Sequence, residues 1–242
     1  MASRRYFKKH LDASQLQEIQ AHITPDDLGT EIALGQYVNH ECSIIFFDLV
    51  NFTNISWSLT TDQVMRITQP LFTKASYEID RLGGMIDKFP GDGVVGFFPR
   101  YYSLEKNEIV DNALDCATKV MNWFYTVLRP SVILPKPSHT LELCAGIDSG
   151  NISIAHVGTP IHSELILLGD QVNCASKCQG AAEKKEVVIG QEAKESTYHR
   201  GFYDKYMSTG PNIGVVYTKN NSRYLSYRFD WERYCEDYDW AG

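Results

Sequence analysis

The run Cys42-Ser43-Ile44-Ile45-Phe46-Phe47-Asp48-Leu49 decides the fold. An apolar stretch of this length, rich in β-branched and aromatic residues, has the pattern of a buried strand, and it ends on a carboxylate. Behind it, Asn51-Phe52-Thr53 can open a helix. Working outward, Thr61 to Leu82 carries helical periodicity through Val64, Ile67, Leu71, Ala75, Ile79 and Leu82. Pro70 is expected to kink or break this helix and Asp62 to cap its second part. Gly83-Gly84 stops it. Met85 to Phe89 reads as a strand, Pro90-Gly91-Asp92-Gly93 as a tight turn, and Val94 to Phe98 as the return strand. Glu105 to Leu128 is a long amphipathic helix closed by Pro130. Leu141 to Ile147 and Asn151 to Val157 read as strands joined through Asp148-Ser149-Gly150.

The order from residue 42 is therefore strand, helix, strand, hairpin, strand, helix, strand. This is the βαββαβ arrangement of an α+β, ferredoxin-like sheet with helices on one face. Further on, Leu165 to Leu168 reads as a strand, Asp170 to Glu183 as a helix capped by Asp170, Glu186 to Ile189 as a strand and Gln191 to Tyr198 as a short helix. The tail alternates (Val215, Tyr217; Tyr224, Ser226, Arg228), as a closing β-hairpin would. Upstream, Leu16, Ile19 and Ile23 share a helical face that Thr24-Pro25 ends. Residues 1–40 thus read as an N-terminal helical extension to one domain spanning 41–242.

Composition narrows the function classes. The chain has 242 residues with a 43% hydrophobic fraction, enough for one domain with a proper core. A formal net charge of −7 and no basic stripe argue against nucleic acid as a partner. The Arg4, Arg5, Lys8, Lys9 group reads as a solvated arm. No apolar run approaches the roughly 20 residues of a membrane helix, and no apolar stretch follows the N-terminal charges as in a signal peptide. The six cysteines form no Cys-x-x-Cys pair, so they read as reduced thiols of a cytoplasmic protein without membrane insertion.

Asp48 ends one strand and Asp92 sits at the tip of a hairpin expected beside it, so both carboxylates can converge on one sheet edge. Two carboxylates without a convergent His or Cys favour hard cations, Mg²⁺ or Mn²⁺, with phosphate oxygens completing the shell. The glycines flanking Asp92 admit a ligand close to the backbone. The turn of Val50, Asn51, Phe52 and Thr53 presents backbone N–H groups where phosphates bind. Taken singly, a Gly-Asp-Gly turn or a strand-end Asp is ordinary; their combination points to a site.

Phe47-Asp48-Leu49-Val50-Asn51-Phe52-Thr53, Gly83 through Gly93, Gly146-Ile147-Asp148-Ser149-Gly150 and Gly169 through Lys177 together resemble the catalytic domain of class III nucleotide cyclases, over roughly residues 42–200. The resemblance implies a palm core and a phosphorus-oxygen lyase. In such a lyase the ribose 3′-hydroxyl attacks the α-phosphate and pyrophosphate leaves, with two divalent cations, Mn²⁺ or Mg²⁺. It also implies metal ligation by Asp48, the Leu49 carbonyl and Asp92, a ribose-orienting Asn173 and a base-reading Lys88. Lys219, in the closing hairpin, falls near the family's γ-phosphate lysine. The family pattern is a homodimer with active sites at the interface, metals on one subunit and Lys88, Asn173 and the next helix turn on the other.

The pattern is broken in two places. Lys177 stands where the family usually carries Arg, keeping the charge but not the planar fork. Ile166 stands where adenylate cyclases place an acceptor for the adenine amino group. A donor, Lys88, beside an apolar wall suits uracil carbonyls better than an amino-bearing base. The combination resembles the bacterial pyrimidine cyclases of Pycsar anti-phage defence, implying UTP as substrate and cyclic UMP read by a separate effector protein. Three alternatives stay open. They are an adenylate cyclase with an atypical pocket, a cytidylate cyclase, and a nucleotide-binding pseudo-cyclase. A diguanylate cyclase-like palm is disfavoured, since its usual Gly-Gly-Asp-Glu-Phe turn is Pro90-Gly91-Asp92-Gly93 here.

Overall fold

The computed structural model describes residues 32–100, 108–136, 138–197, 200–216 and 221–238. The helix expected near Leu16 to Ile23, and Lys219, lie outside the described residues. Strand β1 (Tyr37–Leu49) is followed by α1 (Phe52–Ser56), α2 (Thr61–Arg81), β2 (Met85–Lys88), β3 (Val94–Pro99) and α3 (Glu108–Trp123). Then come α4 (Arg129–Ser131), β4 (Leu143–Thr159), β5 (His162–Leu168), α5 (Asp170–Ala181), β6 (Val187–Gly190) and α6 (Gln191–Glu195). The remainder is α7 (Arg200–Tyr203), β7 (Met207–Thr209), β8 (Ser226–Phe229) and α8 (Trp231–Asp237).

Among the described residues the strands form one sheet in the order β2-β3-β1-β4-β6-β8-β7, with β5 pairing β4. The β2-β3-β1-β4 part is antiparallel throughout, the ferredoxin-like arrangement expected. Strand β1 starts before the apolar run because its polar-alternating N-terminal half pairs with the far half of β4, Tyr37 opposite Ala155. Residues 37–40, read from sequence as the end of an extension, thus belong to the sheet.

Alternation along β1 splits the core. Ile45, Phe47 and Leu49 join the α2 stripe (Ile67, Leu71, Ala75, Ile79) and the α3 stripe in the main core. Ile44 instead packs with Val95 and Phe97 under Leu167 of β5 and Ala175 of α5. The two helices of the βαββαβ core, α2 and α3, thus share one face as expected, and α5, which follows that core, covers the other. Asp48, even-numbered like Ile44, lies on the α5 side.

Several local readings change. Helix α2 runs unbroken through Pro70, and its cap is Thr60, whose hydroxyl accepts from Gln63 N–H while the Gln63 side chain accepts from Thr60 N–H. Asp62 instead pairs with Arg66 at 2.7 Å. The carbonyl four residues before Pro70 belongs to exposed Arg66, where water can satisfy it while the buried stripe holds the helix. Pro130 does not end the helical segment either. A π turn over Phe124–Leu128, with Arg129 N–H donating to the Phe124 carbonyl, precedes Pro130 in the first turn of α4.

Asp148-Ser149-Gly150 is not a turn. These residues pair with Ile44, Ser43 and Cys42 within one continuous β4. In the tail, β8 pairs with β6 and β7, and Val216 with Arg223 forms an isolated bridge. Helix α5 starts after Gly169 with no side-chain cap, so Asp170 sits in its first turn instead of capping it.

Buried Asp148 ties three elements together. It accepts from Tyr224 Oη at 2.7 Å and from Ala193 N–H at 3.1 Å, and Tyr224 Oη in turn accepts from Glu192 N–H at 3.0 Å. The start of α6 is capped this way from across the sheet. Burial raises the Asp148 carboxyl from the ordinary 3.8 to about 7, against the lowering effect of these hydrogen bonds. The folded state thus holds this proton more tightly than the unfolded chain. The resulting stability is full below the ordinary carboxylate value and fades as pH rises toward 7. Asp148→Asn is expected to flatten this slope. Urea midpoints at pH 5 and pH 8 for both chains check it, and parallel pH dependence in the two would refute it.

Candidate active site

Register places the β1 end against the β3 start, Phe47 opposite Val94, so Asp48 meets the turn that carries Asp92. That turn is closed by Gly93 N–H donating to the Pro90 carbonyl at 3.0 Å, with Gly91 at φ 64°, a left-handed conformation that favours glycine. Gly93 is pressed close: a Cβ there would lie 2.8 Å from the Phe47 carbonyl oxygen and 3.2 Å from Asp48 Oδ1. Only a bare position lets the Asp92 turn approach Asp48 this closely.

The electrostatics follow. Burial first, and then the Asp92 carboxylate, push the Asp48 carboxyl from 3.8 up to about 6, against hydrogen bonds from Gln179 and the Leu49 N–H. Burial also raises Asp92. Two partly buried carboxylates, one of them raised further by the other, are a site waiting for positive charge. Among the described residues no group of three His, Cys, Asp or Glu side chains gathers to hold a metal. A hard divalent cation would complete an oxygen shell from backbone carbonyls and a ligand, and this donor set fits that demand. Leu49 closes the strand with its side chain in the main core.

The neighbouring turn is narrower than expected. Val50 N–H donates to the Glu142 carbonyl at 2.9 Å and so is not offered to a phosphate. Asn51 sits at φ 57°, Phe52 buries its ring in the core and Thr53 is exposed. The N–H groups of Asn51, Phe52 and Thr53 remain at the turn.

Helix α5 turns Cys174, Ala175 and Cys178 inward and exposes Asn173 and Lys177. The pair shares one outward face, as i, i+4 spacing requires. The α5 side chain that reaches Asp48 is a different one, Gln179, whose Nε2 donates to Asp48 Oδ2 at 3.2 Å and approaches Cys144 Sγ at 3.5 Å. The Cys144 thiol donates to the Asp48 carbonyl at 3.6 Å. Sequence reasoning missed Gln179 and Cys144. Their signal was available only as position: Gln179 lies on the turn after Lys177, and Cys144 stands opposite Asp48 in the sheet.

Lys88 ends β2, exposed, beside a bulge at Asp87. The bulge cancels the strict alternation expected of these neighbours, and Lys88 Nζ lies 3.5 Å from Asp87 Oδ2. Strand β5 reaches toward β2, so the strands carrying Ile166 and Lys88 meet. Leu165 and Leu167 pack into the second core, while half-buried Ile166 alternates to the other face. His156 is held by the Ile32 carbonyl at 2.8 Å and Ser163 Oγ at 2.9 Å, and His162 lies exposed at the β4–β5 tip. No helix among the described residues is long and apolar enough to cross a membrane.

The profile of the adenylate and guanylate cyclase catalytic domain matches residues 36–211. The chain is 30% identical over 162 residues to the terminal-differentiation-specific adenylate cyclase of Dictyostelium discoideum, covering 67% of this chain and 7% of that protein. It is 25% identical over 158 residues to a cytidylate cyclase of Escherichia coli, covering 62% of this chain and 34% of that protein. It thus spans a minor part of these relatives' length. Among solved structures, the adenylyl cyclase CyaB of P. aeruginosa superposes with a TM-score of 0.64 at 22% identity, covering 80% of this chain and 95% of that one. The guanylyl cyclase Cya2 superposes with a TM-score of 0.64 at 20% identity, covering 79% of this chain and 92% of that one.

Proposed function

The chain belongs to the adenylate and guanylate cyclase catalytic-domain family, and on that premise we propose that it is a homodimeric nucleotide cyclase that converts UTP to 3′,5′-cyclic UMP and pyrophosphate. The ribose 3′-oxygen bonds to the α-phosphorus, the bond from that phosphorus to the pyrophosphate oxygen breaks, and the hydroxyl proton leaves. The observation that carries the cyclase reading is the Asp48–Asp92 pair, packed through Gly93 and short of positive charge.

Asp48, Asp92 and the Leu49 carbonyl would hold two Mn²⁺ or Mg²⁺ ions, which supply activation of the hydroxyl and neutralisation of the triphosphate when bound. The N–H groups of Asn51, Phe52 and Thr53 would receive phosphate oxygens. Asn173 would orient the ribose of a nucleotide held mainly by the partner subunit, and Lys177 would meet charge developing on the α-phosphate as a point cation. The exposed, shared face of these two residues supports a role across a subunit boundary. Lys219 is assigned to the γ-phosphate by resemblance alone.

The preference for uracil rests on Lys88 as donor and Ile166 as an apolar wall on strands that meet. A buried amino group left without an acceptor costs about 1–3 kcal/mol, which sets adenine and cytosine at a disadvantage. In this reading the cyclic product is a cytoplasmic signal for a separate effector protein, as in bacterial anti-phage defence. Cytidine is the second reading, favoured by similarity to the E. coli cytidylate cyclase.

Incubating the purified chain with Mn²⁺ and each of the four ribonucleoside triphosphates, then resolving products by chromatography and mass spectrometry, separates the readings. Cyclic UMP is expected to dominate. Dominant cyclic AMP or cyclic CMP would reject the base assignment and leave the cyclase. Triphosphate binding without any cyclic product would reject the cyclase itself.

A further inference from the structure

The side chain of Gln179 has no part in the reading above, yet it makes the one contact from α5 to a carboxylate of the site among the contacts described. Three observations define it. Its Nε2 donates to Asp48 Oδ2 at 3.2 Å, while Asp48 Oδ1 faces Gly93 and the Asp92 turn. The two oxygens of Asp48 are thus divided, one toward the helix and one toward the second carboxylate.

Gln179 is also anchored. The Cys144 thiol lies 3.9 Å from the Gln179 carbonyl and 3.6 Å from that of Asp48, tying the helix turn to the strand end. And α5 is seated on β4 with nothing between them. A Cβ at Gly146 would lie 2.2 Å from Gln179 N and 2.4 Å from the Ala175 carbonyl oxygen. Main chain resting on main chain thus fixes the point from which the Gln179 side chain extends to Asp48.

We propose that Gln179 is a positioning residue for cation binding, which fixes the Asp48 carboxylate through Oδ2 so that Oδ1 is presented toward the Asp92 turn. The inference rests on the cyclase reading, since it assigns Asp48 to a divalent cation. It adds a physical link that reading lacks: the helix whose outer face carries Asn173 and Lys177 also holds a carboxylate of its own protomer's site. A donor to a ligating carboxylate restricts its rotamer and favours its ionised form. Loss of such an outer partner typically lowers metal affinity by about 10–100-fold.

The test uses Gln179→Met, which keeps length and bulk without a donor, with Gln179→Leu as a second variant should the first fold poorly. Mn²⁺ binding by the full chain, without nucleotide, is read from the free-ion paramagnetic resonance signal. Cyclisation is measured across a Mn²⁺ titration, and thermal melting is recorded alongside. The expected result is about tenfold weaker Mn²⁺ binding, an unchanged melting temperature, and turnover restored by raising Mn²⁺. Parental Mn²⁺ affinity in both variants would overturn the proposal, as would lost turnover that no Mn²⁺ concentration restores. Asp48→Ala run in parallel separates the two levels. If that variant binds Mn²⁺ as the parent does, the site assignment itself has failed; if it does not bind while Gln179→Met binds normally, only the role of Gln179 falls.

Discussion

Replacing either Asp48 or Asp92 with alanine is expected to lower cyclic-nucleotide formation by at least about a thousandfold, on the order of 4 kcal/mol of transition-state stabilisation. Each substitution removes a carboxylate from the pair proposed to carry the cations, and no described His, Cys, Asp or Glu cluster stands by to replace it. The loss should come without unfolding. In the absence of a cation, the Asp48 carboxyl is raised from 3.8 to about 6 by burial and by Asp92. Its ionised form therefore opposes folding above about pH 6, and that cost disappears as pH falls toward the ordinary carboxylate range. At pH 8 in chelator, Asp48→Ala should melt no lower than the parent. A variant that melts early would owe its inactivity to lost structure, and the site would lose its support.

The same variant tests the shared site. If Asn173 serves the partner's nucleotide, mixing Asp48→Ala with Asn173→Ala chains, each inactive alone, should restore turnover. Each mixed dimer would hold one intact site, giving roughly a quarter of the parental rate under random re-association. No recovery on mixing would place both residues in one protomer's site.

The second large effect concerns the base. Ile166→Asp puts an acceptor on the strand that meets β2, at a half-buried position outside the second core. In the proposed pocket, an amino group on adenine or cytosine would gain an acceptor, and a uracil carbonyl would face a carboxylate instead of an apolar wall. A buried unpaired polar group costs about 1–3 kcal/mol, so the ratio of kcat/KM for UTP to that for ATP or CTP should fall about tenfold or more. Competition between labelled nucleotides measures the ratio directly. An unchanged ratio would show that Ile166 does not face the base.

The elements that position the carboxylates were legible in sequence for physical reasons. The run into Asp48 is too apolar to be anything but a buried strand, and Pro90-Gly91 with Gly93 can do little but turn. Asn173 and Lys177 fall on one face because helix geometry leaves no choice. What failed to show was decided by contacts distant in sequence. Gly150 looked like a turn residue, yet pairing along β1 keeps β4 straight through it. Asp148 looked like part of that turn, while its partner Tyr224 lies 76 residues away. Pro70 looked like a break, yet it is overruled by an apolar stripe already committed to the core. Gln179 had no local signature at all; its role arises because α5 lands on the same sheet face as Asp48.

Gly146 leaves the seat of that helix bare, and bareness removes all slack. Where side chains interdigitate, a new methyl group can be absorbed by a neighbour changing rotamer; where peptide faces peptide, nothing yields. A side chain at position 146 would therefore lift α5 off β4, and with it the outer face that carries Asn173 and Lys177. The joint between helix and strand is a fixed pivot for everything the helix carries.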